Sequence, residues 1–219
     1  IDDRQTVYFS KPRSVYLAEG LRLNTGQRLI GPGRYAKVLI NGGNSPIFVP
    51  KTQDGTTRQV QFSGLRMHSM GHPAILAHGM VETHVDDCWV QSTSANAIDA
   101  RGAYRSSLRN STIHCSGEFT AINAVDNCNG LVISGNTVTG GRAGTAIVVE
   151  QSQAVMVTGN KIESSYGGIL VASTNLAGKG NCNGLTITGN YIEQSAMPLA
   201  LGLVSTVLGG LVEGNYIGN

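Results

Sequence analysis

Side chains that can perform acid–base chemistry recur at similar positions in the middle of the sequence. Asp99 and Arg101 occur in "NAIDARG", His78 ends "PAILAH", and Glu150 ends "TAIVVE". Two carboxylic acids can hydrolyse a glycosidic bond when one protonates the leaving oxygen and the other activates a water molecule. These residue types therefore indicate glycoside hydrolysis, provided that the fold brings Asp99 and Glu150 to one surface.

The elements that would position these residues are indicated by a repeated motif, apolar-x-apolar-x-Gly-Asn-x-apolar. It occurs as "LVISGNTV", "VMVTGNKI" and "LTITGNYI", and in shorter form as "LVEGNYI". The second apolar residue of the motif recurs at intervals of 22 to 30 residues, at Ile40, Phe62, Val85, Leu108, Ile133, Val157, Ile187 and Val212. A period of this length is typical of a solenoid.

A second apolar alternation follows each motif by 12 to 14 residues. Its central residues are Ile75, Ile98, Ile122, Ile147 and Ile169. Alternation with a period of two predicts half-buried strands, and equivalent strands of stacked coils pair in parallel about 4.8 Å apart. Because crossovers between parallel strands are right-handed, we predict an all-β fold, a right-handed parallel β-helix of about seven coils of 22–30 residues.

The Gly-Asn pair has a structural interpretation in such a fold. Glycine permits a turn with positive φ, and stacked asparagine side chains can hydrogen-bond from one coil to the next. We therefore predict a corner at the same place in every coil. Because the sequence ends within a coil, we expect either a longer parent protein or a partner that covers this strand edge.

The predicted register places the chemically active side chains on one outer face. If the central isoleucines point inward, their neighbours point outward. We therefore predict Asp99 and Glu150 as catalytic residues, two coils or about 10 Å apart along the axis. If their side chains lean together, the gap between the carboxyl groups falls within the roughly 6.5–9.5 Å of an inverting glycosidase. The substrate-binding residues on this face are His78, Arg101, Asn123 and Asp126. The alternative is an ordinary solvated surface of ion pairs.

A second outward face follows the Asn corner and contains Trp89 and His114. An exposed tryptophan suits stacking on a sugar ring, so both residues are predicted to bind substrate. The alternative is that Trp89 packs beneath a loop or against another subunit.

The sequence predicts no metal ion and no cofactor. Glu82, Asp86 and Asp87 offer oxygen ligands, but the alternation turns Asp86 and Asp87 in opposite directions. The four cysteines contain no Cys-x-x-Cys pair, and we expect them to be small buried residues without disulfides. Cys128 and Cys182 occupy equivalent positions but lie two coils apart.

Composition excludes other classes of partner. The formal net charge is +2, which gives no electrostatic basis for binding nucleic acid. No apolar run approaches the roughly 20 residues of a membrane-spanning helix. We therefore expect neither nucleic-acid binding nor membrane insertion.

The Gly-Asn coils resemble the pectate-lyase-like right-handed parallel β-helix superfamily. The opening segment is similar to that of bacteriophage tailspike polysaccharide depolymerases and related secreted enzymes. Its matching residues are Leu21, Leu23, Gly26, Leu29, Gly31 and Gly33. We accordingly divide the chain into opening strands and a first turn, residues 1–34, and the coils of a single domain, residues 35–219.

This resemblance implies a polysaccharide partner, bound on the outer face of the coils and often cleaved. It also implies a homotrimer located on a virion or outside the cell, or alternatively secreted by a bacterium. Hydrolysis is preferred over β-elimination. The alternatives are a non-catalytic glycan-binding adhesin or spike, and a lyase, epimerase or fructan transferase on the same scaffold. No catalytic residue is carried over by motif.

Overall fold

The computed structural model describes residues 5–10, 13–17, 19–35, 38–43, 46–50, 57–172, 182–201 and 207–218. These residues contain strands and no helix, and the strands form three parallel sheets. Within the described residues, each coil contributes one strand to each sheet in turn, so the predicted all-β fold and its stacked coils are confirmed.

Sheet A consists of the strand of each coil that precedes the Asn corner. Its strands, in spatial order, are β1 (Thr6–Tyr8), β4 (Arg28–Ile30), β7 (Gln61–Ser63), β10 (His84–Asp86), β13 (Ser107–Arg109), β16 (Val132–Ser134), β19 (Met156–Thr158), β22 (Cys182–Thr188) and β25 (Val207–Glu213).

Sheet B consists of the strand of each coil that follows the Asn corner. Its strands are β2 (Arg13–Tyr16), β5 (Val38–Gly43), β8 (Arg66–Ser69), β11 (Trp89–Ser92), β14 (Thr112–Cys115), β17 (Thr137–Thr139), β20 (Lys161–Glu163), β23 (Tyr191–Glu193) and β26 (Tyr216–Ile217).

Sheet C completes each coil and carries the predicted catalytic residues. Its strands are β3 (Leu21–Leu23), β6 (Phe48–Pro50), β9 (Ile75–Leu76), β12 (Ile98–Asp99), β15 (Ile122–Ala124), β18 (Thr145–Glu150), β21 (Gly167–Ala172) and β24 (Met197–Leu201).

The three sheets enclose one continuous apolar core. The central isoleucines of sheet C pair directly, Ile75 with Ile98, Ile98 with Ile122, and Ile122 with Ile147. All four side chains are buried. Because one coil cannot bury its own apolar face, the stacking of equivalent residues supplies the hydrophobic stabilisation.

The Asn corner forms the predicted ladder. Nδ2 of Asn136 donates to Oδ1 of Asn160 at 3.0 Å, and Asn160 donates in the same way to Asn190. Asn190 in turn donates to Asn215 at 2.9 Å. The residue before each asparagine is a glycine with positive φ, for example 65° at Gly135, which a residue with a side chain adopts less readily.

One position in the predicted register was wrong. Ile40 does not share the column of Phe62, because it pairs with Met67 in sheet B. Leu29 pairs with Phe62 instead. Both Leu29 and Ile40 are buried in alternating runs, so the alternation shows which side chains point inward but not which sheet the strand joins.

The cysteines behave as the sequence predicts. All four are buried and free. Asn129 and Asn183 both pair with Gln153, so Ser152 lies between Cys128 and Cys182 in the stack. Burial raises the pKa of Cys88 and Cys115 to about 12, which keeps both thiols protonated and unreactive at neutral pH.

Candidate functional site

The outer surface of sheet C brings together much of the predicted active site. Asp99 pairs with Asn123 in the neighbouring strand, and the adjacent isoleucines point into the core. Although Asp99 points outward, the residue is only 6% exposed. Neighbouring polar side chains therefore cover the carboxylate, and we call this group the sheet C face. Its members are His78, Asp99, Arg101, Asn123, Asp126 and Glu150.

Three side chains surround the Asp99 carboxylate. Nε2 of His78 lies 3.0 Å from Oδ2, and Nδ2 of Asn123 donates to Oδ1 at 3.1 Å. Nη2 of Arg101 lies 3.8 Å from Oδ2. An ionised carboxylate only accepts hydrogen bonds, so Nε2 of His78 carries the proton in this pair.

The surroundings of Asp99 determine its charge. Burial by itself would raise the pKa of Asp99. The hydrogen bond and charge of His78, the hydrogen bond of Asn123 and the charge of Arg101 outweigh this effect and hold the pKa below its usual value. Asp99 is therefore ionised at neutral pH, a state that suits a base and not a general acid.

The rest of the sheet C face is more open to solvent. Nε of Arg101 lies 3.4 Å from Oδ2 of Asp126, and both side chains are about half exposed. Glu150 ends β18, two strands from β12, and is half-buried. The side chains of this face include the three carboxylates of Asp99, Asp126 and Glu150 and the one guanidinium of Arg101. The face therefore attracts positive charge.

Trp89 is more covered than an open stacking platform would be. The guanidinium carbon of Arg66 lies 4.6 Å from the centre of the ring, and the ring of Tyr35 meets it edge-on at 6.4 Å. The side chain is half-buried, and Nε1 is buried without a hydrogen-bond partner among the described residues. These contacts agree better with the alternative, in which Trp89 packs beneath other residues, than with an exposed ring that stacks on a sugar.

His114 lines a cavity of about 350 Å³ at the C-terminal ends of strands β14 and β17 of sheet B. The cavity is also lined by Cys115, Ser116, Gly117, Thr139, Gly140, Gly141, Arg142 and Ser164. Burial lowers the pKa of His114, so its imidazole is neutral at neutral pH. His114 is available for hydrogen bonding there, but it lies on a different sheet from Asp99.

Sequence reasoning missed a larger groove on the outside of sheet A. It has a volume of about 620 Å³ and is lined by Thr6, Gly26, Arg28, Gln59, Gln61, Glu82 and His84. We call it the sheet A groove. It depends on the pairing of Arg28 with Gln61 and of Gln61 with His84. The sequence analysis placed Ile40 beside Phe62, so it did not predict that Arg28 pairs with Gln61. Placing Leu29 beside Phe62 would have predicted this pairing.

Two of the three carboxylates considered as cation ligands, Asp86 and Asp87, have protein partners. Nδ2 of Asn110 donates to Asp86 at 3.0 Å, and Nε of Arg34 lies 3.6 Å from Asp87. In the part of the chain that the structure describes, no three His, Cys, Asp or Glu side chains form a group that could hold a metal ion.

The sequence matches one protein family. The family described as "Right handed beta helix region" matches residues 47–217, most of the chain. No curated protein matches the sequence significantly. No helix among the described residues is long and apolar enough to span a membrane.

Solved structures of parallel β-helix proteins are similar at low identity. A tailspike protein mutant of E. coli bacteriophage HK620 in complex with a hexasaccharide is 13% identical, with a TM-score of 0.46 over 99% of this chain and 49% of that one. The A-module of an Azotobacter vinelandii mannuronan C-5 epimerase is 11% identical, with a TM-score of 0.35 over 97% and 88%. The chain spans about half the length of the tailspike structure. Structural similarity at these identities and TM-scores supports no conclusion about the ligand or reaction of this chain.

Proposed function

This chain belongs to the right-handed β-helix family, and from that premise we propose that it binds a polysaccharide on the sheet C face and hydrolyses it there. The observation that carries the proposal is the ionised Asp99 carboxylate, nearly buried yet at the outer surface of the sheet and held by His78 and Asn123.

Asp99 and Glu150 take different roles in this proposal. Asp99 is the base that activates water, because its surroundings keep it ionised. Each carboxylate oxygen has two lone pairs, and the hydrogen bonds from His78 and Asn123 occupy only one on each oxygen. Glu150 is the general acid that protonates the leaving oxygen. His78 and Asn123 orient Asp99, while Arg101 and Asp126 hydrogen-bond to sugar hydroxyls.

The charge of the sheet C face favours hydrolysis over β-elimination. The transition state of glycoside hydrolysis resembles a positively charged oxocarbenium ion. With Glu150 protonated as the general acid, the carboxylates of Asp99 and Asp126 still supply negative charge that stabilises it. Elimination from a uronic acid instead needs positive charge to neutralise the sugar carboxylate. Among the six side chains of the sheet C face, Arg101 is the one that is always positively charged, and its guanidinium already lies against Asp126.

The test measures release of reducing ends from a panel of neutral and acidic polysaccharides. For the substrate that is cleaved, we expect Asp99→Asn and Glu150→Gln each to lower kcat by roughly 10²–10⁴-fold, the usual contribution of general acid–base catalysis. Glu163→Gln is the matched control, because Glu163 is a partly exposed carboxylate on sheet B.

The outcomes separate the competing functions. Full activity in both site variants contradicts the proposed site. An unsaturated product, detected by its ultraviolet absorbance, indicates a lyase. Binding of a polysaccharide without release of reducing ends identifies a glycan-binding spike.

Assembly and location are further proposals that rest on the resemblance to tailspikes. We propose a homotrimer located on a virion or outside the cell. Light scattering across a range of concentrations tests the trimer, which has three times the 23.0 kDa mass of the chain. A monomer at every concentration contradicts it.

A further inference from the structure

The cavity at the C-terminal ends of β14 and β17, which we call the sheet B cavity, places a serine beside a histidine. Oγ of Ser116 lies 3.4 Å from Nε2 of His114, and both residues are half-buried and line the cavity. In serine hydrolases a histidine takes the hydroxyl proton of the serine, and the two side chains often lie at the long end of hydrogen-bond range before a substrate binds. The geometry of Ser116 and His114 is therefore that of a nucleophile and its base.

The combination of serine and histidine is not a consequence of the repeat. His114 belongs to an outward row of sheet B that also contains His68. The residue two positions after His68 is Met70, whereas His114 is followed by Ser116. In the next coil, Thr139 takes the place of His114. His68 therefore provides a histidine at an equivalent position without the serine.

The charge of His114 suits a base. Burial lowers the pKa of His114, so the imidazole is neutral at pH 7. A neutral imidazole with its proton on Nδ1 has a free lone pair on Nε2, the nitrogen that lies near Oγ of Ser116. Among the described residues, the Ser116 hydroxyl has no other hydrogen-bond partner. His114 can therefore accept the proton of this hydroxyl.

The residue after Ser116 offers a donor for negative charge. Gly117 has a positive φ of 71°, and its carbonyl accepts a hydrogen bond from the backbone N–H of Ala143 at 3.1 Å. Within the described part of the chain, the N–H of Gly117 itself donates to no acceptor. The N–H that follows the nucleophile is a usual component of an oxyanion hole.

Arg142 adds positive charge to the same cavity. Its side chain lines the cavity, and the described lining contains no Asp or Glu. None of the ion pairs among the described residues involves Arg142. Its turn packs closely on the turn of Gly117, because a Cβ atom on Gly141 would lie 2.0 Å from the carbonyl oxygen of Gly117. The cavity thus combines a nucleophile, a base and two groups that stabilise negative charge.

We propose that the sheet B cavity hydrolyses small carboxylic esters through an acyl-serine, a reaction separate from that of the sheet C face. Oγ of Ser116 attacks the carbonyl carbon while Nε2 of His114 takes the hydroxyl proton, and the carbonyl oxygen becomes an oxyanion held by Gly117 and Arg142. As the bond to the alcohol oxygen breaks, His114 returns the proton to that oxygen. Water then attacks the acyl group with His114 again as base, which releases the carboxylic acid and restores the hydroxyl of Ser116.

The size of the cavity limits the ester. Its volume of about 350 Å³ is near the lower end of the range for small-molecule sites. Three of its lining residues are glycines, Gly117, Gly140 and Gly141, so backbone and not large side chains forms much of the wall. The cavity therefore suits a short acyl group, and p-nitrophenyl acetate is the probe.

The first test is covalent labelling of the full chain with a fluorophosphonate, which transfers its phosphonyl group to an activated serine with loss of fluoride. We expect tandem mass spectrometry to find the label at Ser116. Ser116→Ala should abolish this label, and His114→Gln should slow labelling about 10²-fold or more, the usual contribution of a general base. Because the wild-type protein alone answers where the label forms, this test does not depend on the folding of a variant.

The second test measures hydrolysis of p-nitrophenyl acetate. Ser116→Ala and His114→Gln are each expected to lower kcat/KM about 10²-fold or more. His68→Gln is the matched control, because His68 has the same outward position on sheet B but no serine two residues later. Its expected effect is less than about twofold. Circular dichroism establishes that each variant is folded.

Three results overturn the proposal. They are no label at Ser116, unchanged ester hydrolysis in Ser116→Ala, and equal loss of hydrolysis in His68→Gln and His114→Gln. The last two identify surface imidazoles that act on a reactive ester without the serine. Because the probes contain no sugar, a failure of the sheet C face as a glycosidase leaves these results unaffected.

Discussion

Replacing Asn160 by alanine tests the account of the Asn corner most directly. Asn160 lies in the middle of the ladder and is 1% exposed. Its Oδ1 accepts hydrogen bonds from the backbone N–H and from Nδ2 of Asn136, both at 3.0 Å. Its Nδ2 donates to Oδ1 of Asn190 and to the carbonyl of Ile133. The Asn160→Ala variant loses all four bonds.

The expected loss of stability follows from these contacts. The backbone N–H of Asn136 is left buried without its acceptor, which costs about 1–3 kcal/mol. The other three bonds each contribute about 0.5–1.5 kcal/mol, although Nδ2 of Asn136 keeps its bond to the carbonyl of Leu108. Counting the buried N–H and the two bonds donated by Asn160, we expect Asn160→Ala to lower the free energy of unfolding by about 2–6 kcal/mol.

Urea unfolding provides the measurement. Trp89 is the only tryptophan, so its fluorescence reports one part of the stack and circular dichroism reports the whole. Coincidence of the two curves establishes the two-state transition that the analysis needs. Asn215→Ala is the matched control, because Asn215 makes equivalent bonds at the last described rung, where it is only half-buried. Water can replace its bonds, so we expect a loss of about 1 kcal/mol or less.

Two results would refute this reasoning. A loss below about 0.5 kcal/mol for Asn160→Ala would mean that the ladder hardly contributes net stability. Equal losses for Asn160→Ala and Asn215→Ala would mean that burial does not determine the cost of breaking the ladder.

Three further predictions concern the polar face, the tryptophan and the thiols. Because folding lowers the pKa of Asp99 from 3.8, its ionisation stabilises the fold above about pH 4 and ceases to do so as the pH falls through the folded pKa. Urea unfolding at stepped pH should therefore show wild type losing stability relative to Asp99→Asn on acidification, and a constant difference would contradict this. Arg66→Ala should expose the ring of Trp89 and increase acrylamide quenching of its fluorescence, whereas unchanged quenching would show that Arg66 does not cover the ring. The four cysteines, all buried, should react with a thiol reagent only after unfolding, and a fast reaction in the native state would be inconsistent with that burial.

Much of the fold could be predicted because, in a solenoid, residues that are one repeat apart in the sequence become neighbours in space. From Phe62 onward, each inward residue predicted for sheet A stacks on its counterpart in the next coil. The placement of Asp99 and Asn123 on one outer face followed from the same register. Local alternation contains this information, because successive residues of a strand point to opposite sides.

The state of Asp99 could not be predicted in the same way. Alternation places it on the outer surface and so predicts a solvated carboxylate. Its burial and low pKa depend on where His78, Asn123 and Arg101 direct their side chains. Those contacts require atomic positions across three coils.

The sequence by itself determined that the chain forms stacked coils with an Asn corner, and which side chains face inward. Only the tertiary structure decided that Leu29, and not Ile40, lies beside Phe62, that Tyr35 and Arg66 cover Trp89, and that a groove opens on sheet A. The physical reason is that alternation is a local property of a strand, whereas the choice of pairing partner and the covering of a surface depend on contacts between residues far apart in the chain.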